Sequence, residues 1–431
     1  FTGSEFMSTD PMRDSLQFFA MEATYDMKEN QINAREVKMI RVADVAVFPG
    51  DGKVTILSDG NMQALKGATI IANRKNKYHR IYDASVNVIS RKNYSASGYV
   101  DYTDEDGNVQ PLFFDSFIVD TTNITHGISK VTDKAGFALS SHFKFTGSIW
   151  LNADRPFLTY DGGYRLTNEC ISSEGPWVAF RTELNPANLR LPVPEHMKDT
   201  LGDPVMASIV YSDFFGSVYP ALFEKPKAWG DTLVSSATGN IRYSKAKSAY
   251  IIGSDDRLDG KSRSGNLMTL DTKQCIITGE GNIELGAGLG LVSLLTFGKA
   301  TQYTVVDSSS FRLSMALDFL FSDQALGILK ETLQLSNLEG VDVNSEVYFC
   351  LLDNLLGAGG ANELLNELNT TGQVKRLPPQ LIKTLTLTDL NMKWDPRLKS
   401  YISSGPFGIA GIQKELVNRR VEGYVEIGKR R

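Results

Sequence analysis

Residues 66–102 read KGATIIANRKNKYHRIYDASVNVISRKNYSASGYVDY, and their periodicity decides the fold class. Counted in twos, Ala84, Val86 and Val88 fall on one face, and Asp83, Ser85 and Asn87 on the other. Further along, Tyr94, Ala96, Gly98, Val100 and Tyr102 share a face opposite Ser95, Ser97, Tyr99 and Asp101. A period of two marks a half-buried strand, because successive side chains leave opposite faces of the pleat. The expectation is strands here, with the even-numbered residues inside.

The same pattern extends outward in both directions. Residues 33–48 read as extended and end in the turn Pro49-Gly50-Asp51-Gly52. Asp104-Glu105-Asp106-Gly107-Asn108 is a hairpin signal. Strand patterns recur through residues 112–285 and return at 385–394, 401–409 and 421–427. Residues 310–335 differ: Leu313, Leu317, Leu320, Phe321, Leu326 and Leu329 stand near helical spacing. Residues 344–369 do the same, with a break at Gly357-Ala-Gly-Gly360. The expected fold is mainly β: a repetitive antiparallel β-jellyroll, β-taco or sandwich with a late helical insert. The expected division is a cloning remnant and disordered start (1–10), a first β-repeat domain (11–184) and a proline-rich linker (185–204). A second β block (205–309), the helical insert (310–370) and a C-terminal β segment (371–431) follow, the last reading as cut from a longer protein.

A local motif, apolar-x-Gly-x-apolar-x-apolar, recurs at irregular intervals. It occurs at residues 96–102, 145–151 and 237–243, with a variant copy at 277–283 and a fifth at 421–427. Its glycine falls on the apolar face, where a missing side chain lets a facing wall approach or lets the strand bend.

The 431 residues, 42% of them hydrophobic, are enough for a sizeable core. A net charge of −5 gives no basic face for nucleic acid. No apolar run reaches the ~18–20 residues of a membrane helix. Cys170, Cys275 and Cys350 are far apart and match neither a disulfide framework nor a zinc spacing, so three inert thiols are expected. His79, His126, His142 and His196 show no metal-ligand spacing, and His79 reads as a structural histidine in a strand. Asp104, Asp106 and Gly107 begin like a calcium loop but lack its closing glutamate, and a polar hairpin tip accounts for them. Gly286-Ala-Gly288-Leu-Gly290 lacks the spacing and the following helix of a dinucleotide fingerprint. No catalytic residues, cofactor or metal site emerge, and the reading is non-enzymatic.

The segments Ala68-Thr-Ile-Ile-Ala72, Tyr78-His79, Ala84-Ser-Val86-Asn-Val88 and Tyr94 to Tyr102 resemble rungs of the lipopolysaccharide-transport (Lpt, OstA-like) family. The segments GEGNIELGAGLGLVSLLTFG and LTLTDLNMKWDPRLKSYISSGPFGIAGI look more like AsmA/TamB-type bridge proteins. As a whole the chain resembles part of a large envelope protein of Bacteroidetes-type bacteria. The resemblance implies a periplasmic or outer-membrane-associated module whose open sheet shields or conducts lipid or lipopolysaccharide among other envelope proteins. The candidate groove-lining residues are Ala72, Ala84, Val86, Val88, Ala96, Gly98, Val100, Gly147 and Ile149. The alternatives are a structural, assembly or secretion-accessory component with a dry β core, and a glycan-active β-helical enzyme. The helical insert departs from both family patterns.

Overall fold

A computed structural model describes residues 2–73, 75–170, 175–286 and 290–429. The protein is mainly antiparallel β, and the chain forms two compact units. The first takes residues 1–167 and 177–190; the second takes 168–176 and 191–431.

The first unit is one 15-stranded sheet. Its middle is a meander of long strands, His79–Ser90, Asn93–Thr103 and Val109–Val119, each hydrogen-bonded to the next. The period of two appears directly in the burial. Ala84, Val86, Val88, Tyr94, Ala96, Val100 and Tyr102 are all buried, whereas Ser85, Asn87 and Asp101 are exposed. Tyr99 is half-buried on the outer face, because its ring lies 5.8 Å from Tyr82 and 5.0 Å from Phe113 across neighbouring strands. The sheet curls until its inner face packs on itself. Tyr102 meets Tyr160 at 6.3 Å between ring centroids, although three strands lie between theirs in the sheet. Asp44 accepts hydrogen bonds from Thr125 Oγ1 (2.7 Å) and Thr125 N (3.2 Å), closing the other side, and Tyr94 OH joins Thr125 Oγ1 at 2.9 Å. The start of the chain is not disordered, contrary to expectation. Thr2–Met7 is a strand paired with Gln17–Asp26, and Phe6 stacks on Phe18 at 5.3 Å.

The second unit holds a 12-stranded sheet and a three-stranded one made of Met206–Ser212, Ser217–Glu224 and Thr232–Ser236. Within the proline-rich stretch, Leu191–Val193 is a strand paired with Gly239–Ser244, and Leu189, Leu191, Val193 and Met197 are buried. The division between the units falls inside that stretch.

Three further expectations need correction. Residues 308–318 are not helical: Ser308–Asp318 is a strand held between Ser293–Tyr303 and Lys383–Asp395. Phe311, Leu313 and Met315 are buried at period two and Arg312 is exposed, so partners on both edges override a pattern that also fits helical spacing. The late helices are Asp323–Leu335 and Glu346–Thr371. Ser345 caps the second through Tyr348 N (3.3 Å), and Gly357, at φ 75°, breaks it in the glycine-rich segment. The fifth copy of the glycine motif is not one strand, since Glu415–Val421 ends at its first residue and Glu426–Gly428 begins near its last.

The third correction concerns the thiols. Cys170 and Cys275 form a disulfide across 105 residues, with Cα atoms 5.1 Å apart. Cys170 follows the first unit's strand Leu158–Leu166 in the chain but groups with the second unit. Cys350 is free, and burial pushes its thiol up to about 11, which leaves it protonated and unreactive.

Candidate functional site

Eight of the nine candidate groove residues, Ala72, Ala84, Val86, Val88, Ala96, Gly98, Val100 and Ile149, are buried. Gly147 is half-buried. An open trough would leave such residues accessible to solvent, yet Ala72, Ala84, Val86 and Ile149 are each 0% exposed. The interior at these positions is filled by neighbouring side chains.

Gly98 and Gly147 act within the sheet rather than between walls. A Cβ on Gly98 would come 2.9 Å from Ile81 Cγ2 and 3.1 Å from Ala84 Cβ, both on the adjacent strand. That strand bulges here, with Asp83 at φ 48° and a register shift between Tyr82 and Ser85. Gly147 has φ 140°, and its Cβ would fall 2.6 Å from the Cα of Gly162, its cross-strand partner. Gly279 alone among the motif glycines matches the expected facing wall: its Cβ would collide with Ser235 of the three-stranded sheet.

His79, His126 and the calcium-like loop have structural roles. His79 Nε2 hydrogen-bonds Arg155 O at 2.7 Å, and burial lowers its pKa below 6.5. His126 pairs with Asp120 at 2.9 Å. Asp104 accepts from the backbone N–H of Asp106 and Asn108 (both 2.9 Å), as a hairpin tip does. Among the described residues no cluster of three or more His, Cys, Asp or Glu could hold a metal ion. Residues 287–289, at the centre of the fingerprint-like glycines, lie outside the described residues.

A site that sequence reasoning missed lies on the outer face of the second unit's large sheet, where register aligns two polar rows. One row runs Glu280, Lys299, Arg312, Asn391; the other runs Thr278, Thr301, Ser310, Lys393. Between strands 293–303, 308–318 and 383–395 the face dips into a hollow of about 300 Å³, and Ser404 completes its rim. Asp389 organises it from a bulge at φ 54°. It accepts Arg312 Nε at 2.7 Å and Arg420 Nη1 at 3.0 Å. That leaves the terminal nitrogens of Arg312 unspent. Lys299 pairs with Glu280 at 3.3 Å. Among the described residues Lys393 has no acidic partner within ion-pair distance, and the Thr301, Ser310 and Ser404 hydroxyls make no side-chain hydrogen bond. The hollow is thus lined by three cations, two of them paired with carboxylates outside the lining, and by a set of unspent donors. The only signal in the sequence is alternate Lys/Arg and Ser/Thr on strands that become neighbours through pairing.

Comparison with protein-family models, with curated proteins and with solved structures gives no match. Among the described residues no helix is long and apolar enough to cross a membrane.

Proposed function

We propose that this chain is a non-enzymatic β module of the cell envelope, a structural or assembly component with a dry core rather than a lipid conduit. The observation that carries this reading is the filled interior at the positions the conduit would need open. An acyl chain contributes about 0.8 kcal/mol per buried methylene only where there is space for it. At Gly98 the space left by the missing side chain is already closed by Ile81 and Ala84. The disulfide Cys170–Cys275 supports an oxidising compartment such as the periplasm or the cell exterior, because such bonds persist there and are rare in reducing cytosol. The inert Cys350 thiol gives no support to nucleophilic chemistry.

The experiment is lipid extraction and native mass spectrometry of the protein purified from membranes solubilised without exchange. A dry-core component carries less than a tenth of a lipid per chain. Stoichiometric lipid released only on unfolding would overturn the reading and restore the conduit.

A further inference from the structure

We propose that the hollow between strands 293–303, 308–318 and 383–395 binds a phosphate or sulfate monoester carried on a sugar-sized group. The inference is independent of the dry-core reading, because an outer-face site makes no demand on the interior.

Charge and hydrogen-bonding inventory lead to this class. Three cations, Lys299, Arg312 and Lys393, line the hollow, and two carboxylates outside the lining, Glu280 and Asp389, pair with Lys299 and Arg312, in a chain whose net charge is −5. The carboxylates are already engaged, Glu280 by Arg257 as well as Lys299, and Asp389 by two arginines. Because Asp389 takes Arg312 Nε, it fixes the guanidinium while leaving its terminal N–H groups to donate. Arg in such a fork favours oxyanions, and a lysine adds a point charge beside it.

The donor spacing favours a tetrahedral anion over a carboxylate. Arg312 and Asn391 are cross-strand neighbours, as are Ser310 and Lys393, so each pair spans roughly 5 Å. The two pairs lie two residues apart along the strands, roughly 7 Å. A carboxylate offers two oxygens in one plane and is satisfied by one guanidinium. Three terminal oxygens pointing in different directions use Arg312, Lys393 and the Thr301 and Ser310 hydroxyls together. The volume of about 300 Å³ exceeds a bare anion and lies at the small end of the ligand-pocket range, which leaves room for one sugar ring. Asn391 and Ser404 stand at the rim, where ring hydroxyls would meet them.

The test is isothermal titration of the full chain with glucose 6-phosphate, glucuronate, inorganic phosphate and glucose. Lys393→Gln is the main variant, since Lys393 is exposed and unpaired and its loss leaves the fold intact; Ser310→Ala is the second. Lys375→Gln, an exposed lysine outside the hollow, is the control. The expected result is saturable binding of glucose 6-phosphate, at least tenfold tighter than glucuronate or inorganic phosphate, with none to glucose. Lys393→Gln weakens it at least tenfold, Ser310→Ala about threefold, and Lys375→Gln not at all. Co-sedimentation with vesicles of phosphatidic acid in phosphatidylcholine distinguishes the source of the monoester. Retention lost in Lys393→Gln identifies a lipid headgroup; glucose 6-phosphate binding without retention identifies a soluble sugar ester. No saturable binding to glucose 6-phosphate or to the vesicles, equal loss in Lys393→Gln and Lys375→Gln, or equal binding of glucose would each overturn the proposal.

Discussion

Gly98 and Gly147 show how single residues shape the first unit's sheet. Gly98 fills the angle left by the bulge at Asp83, and Gly147 adopts φ 140° opposite Gly162. Gly98→Val adds three carbons where one is already tight, so about 1–3 kcal/mol of destabilisation is expected in urea unfolding. Gly147→Ala should be as harmful despite its smaller size, because it adds backbone strain to the clash with Asp161 and Gly162. Stability unchanged in both would remove the in-sheet role assigned to these glycines. His79 makes the pH prediction. Its burial lowers the folded-state pKa below 6.5, so the unfolded chain binds the proton more readily. Its contribution is therefore complete above about pH 6.5 and is lost as the pH falls through the lowered folded value. Melting of the first unit should fall with acidification below pH 6.5, and His79→Gln should flatten that dependence. An equal slope in parent and variant would assign the acid sensitivity elsewhere.

At the scale of elements, the caps and breaks of the late helices are local while their extent is not. Ser345 precedes Glu346–Thr371 and accepts from Tyr348 N, and Gly372 ends the helix at φ 73°. Ser345→Ala should cost about 1 kcal/mol, read as a lower midpoint in thermal unfolding of the second unit, and Ser345→Asp should restore it. An alanine variant as stable as the parent would show that packing against the sheet, through Leu351 and Leu352, holds this helix without its cap. Residues 308–318 show the limit of periodicity. Leu313 and Leu317 are four apart and suit a helix, but Phe311, Leu313 and Met315 equally suit a strand. Ser314 resolves the ambiguity only in three dimensions, where its buried hydroxyl bonds Val347 O at 3.2 Å and Thr388 Oγ1 at 2.9 Å.

At the scale of the molecule, the disulfide joins two residues of the second unit, but the loop of 105 residues it closes runs through the first unit's strand Val178–Leu184. A loop of about a hundred residues corresponds to roughly 4–5 kcal/mol of lost unfolded-state entropy in the chain-entropy account. Reduction, or the pair Cys170→Ser and Cys275→Ser, should therefore lower the melting temperature in calorimetry. An unchanged melting temperature would contradict that contribution.

The sequence by itself determined the β class, the inner and outer faces of residues 84–102, the hairpin at Asp104, and the need for late helices broken near Gly357. These features depend on neighbours within a few residues, and period, turn chemistry and capping act at that range. It did not determine that residues 308–318 are a strand, that Cys170 meets Cys275, that the first sheet curls until Tyr102 touches Tyr160, or that Lys299, Arg312 and Lys393 surround one hollow. Each of those depends on which strands become neighbours. Lys299 and Lys393 are far apart in the chain and share the hollow only because strand 308–318 pairs with both of theirs. A one-residue slip in either pairing would turn one row of side chains to the opposite face. That register is set by burial of Phe311, Leu313 and Met392 beneath the sheet, a tertiary event that no local pattern contains.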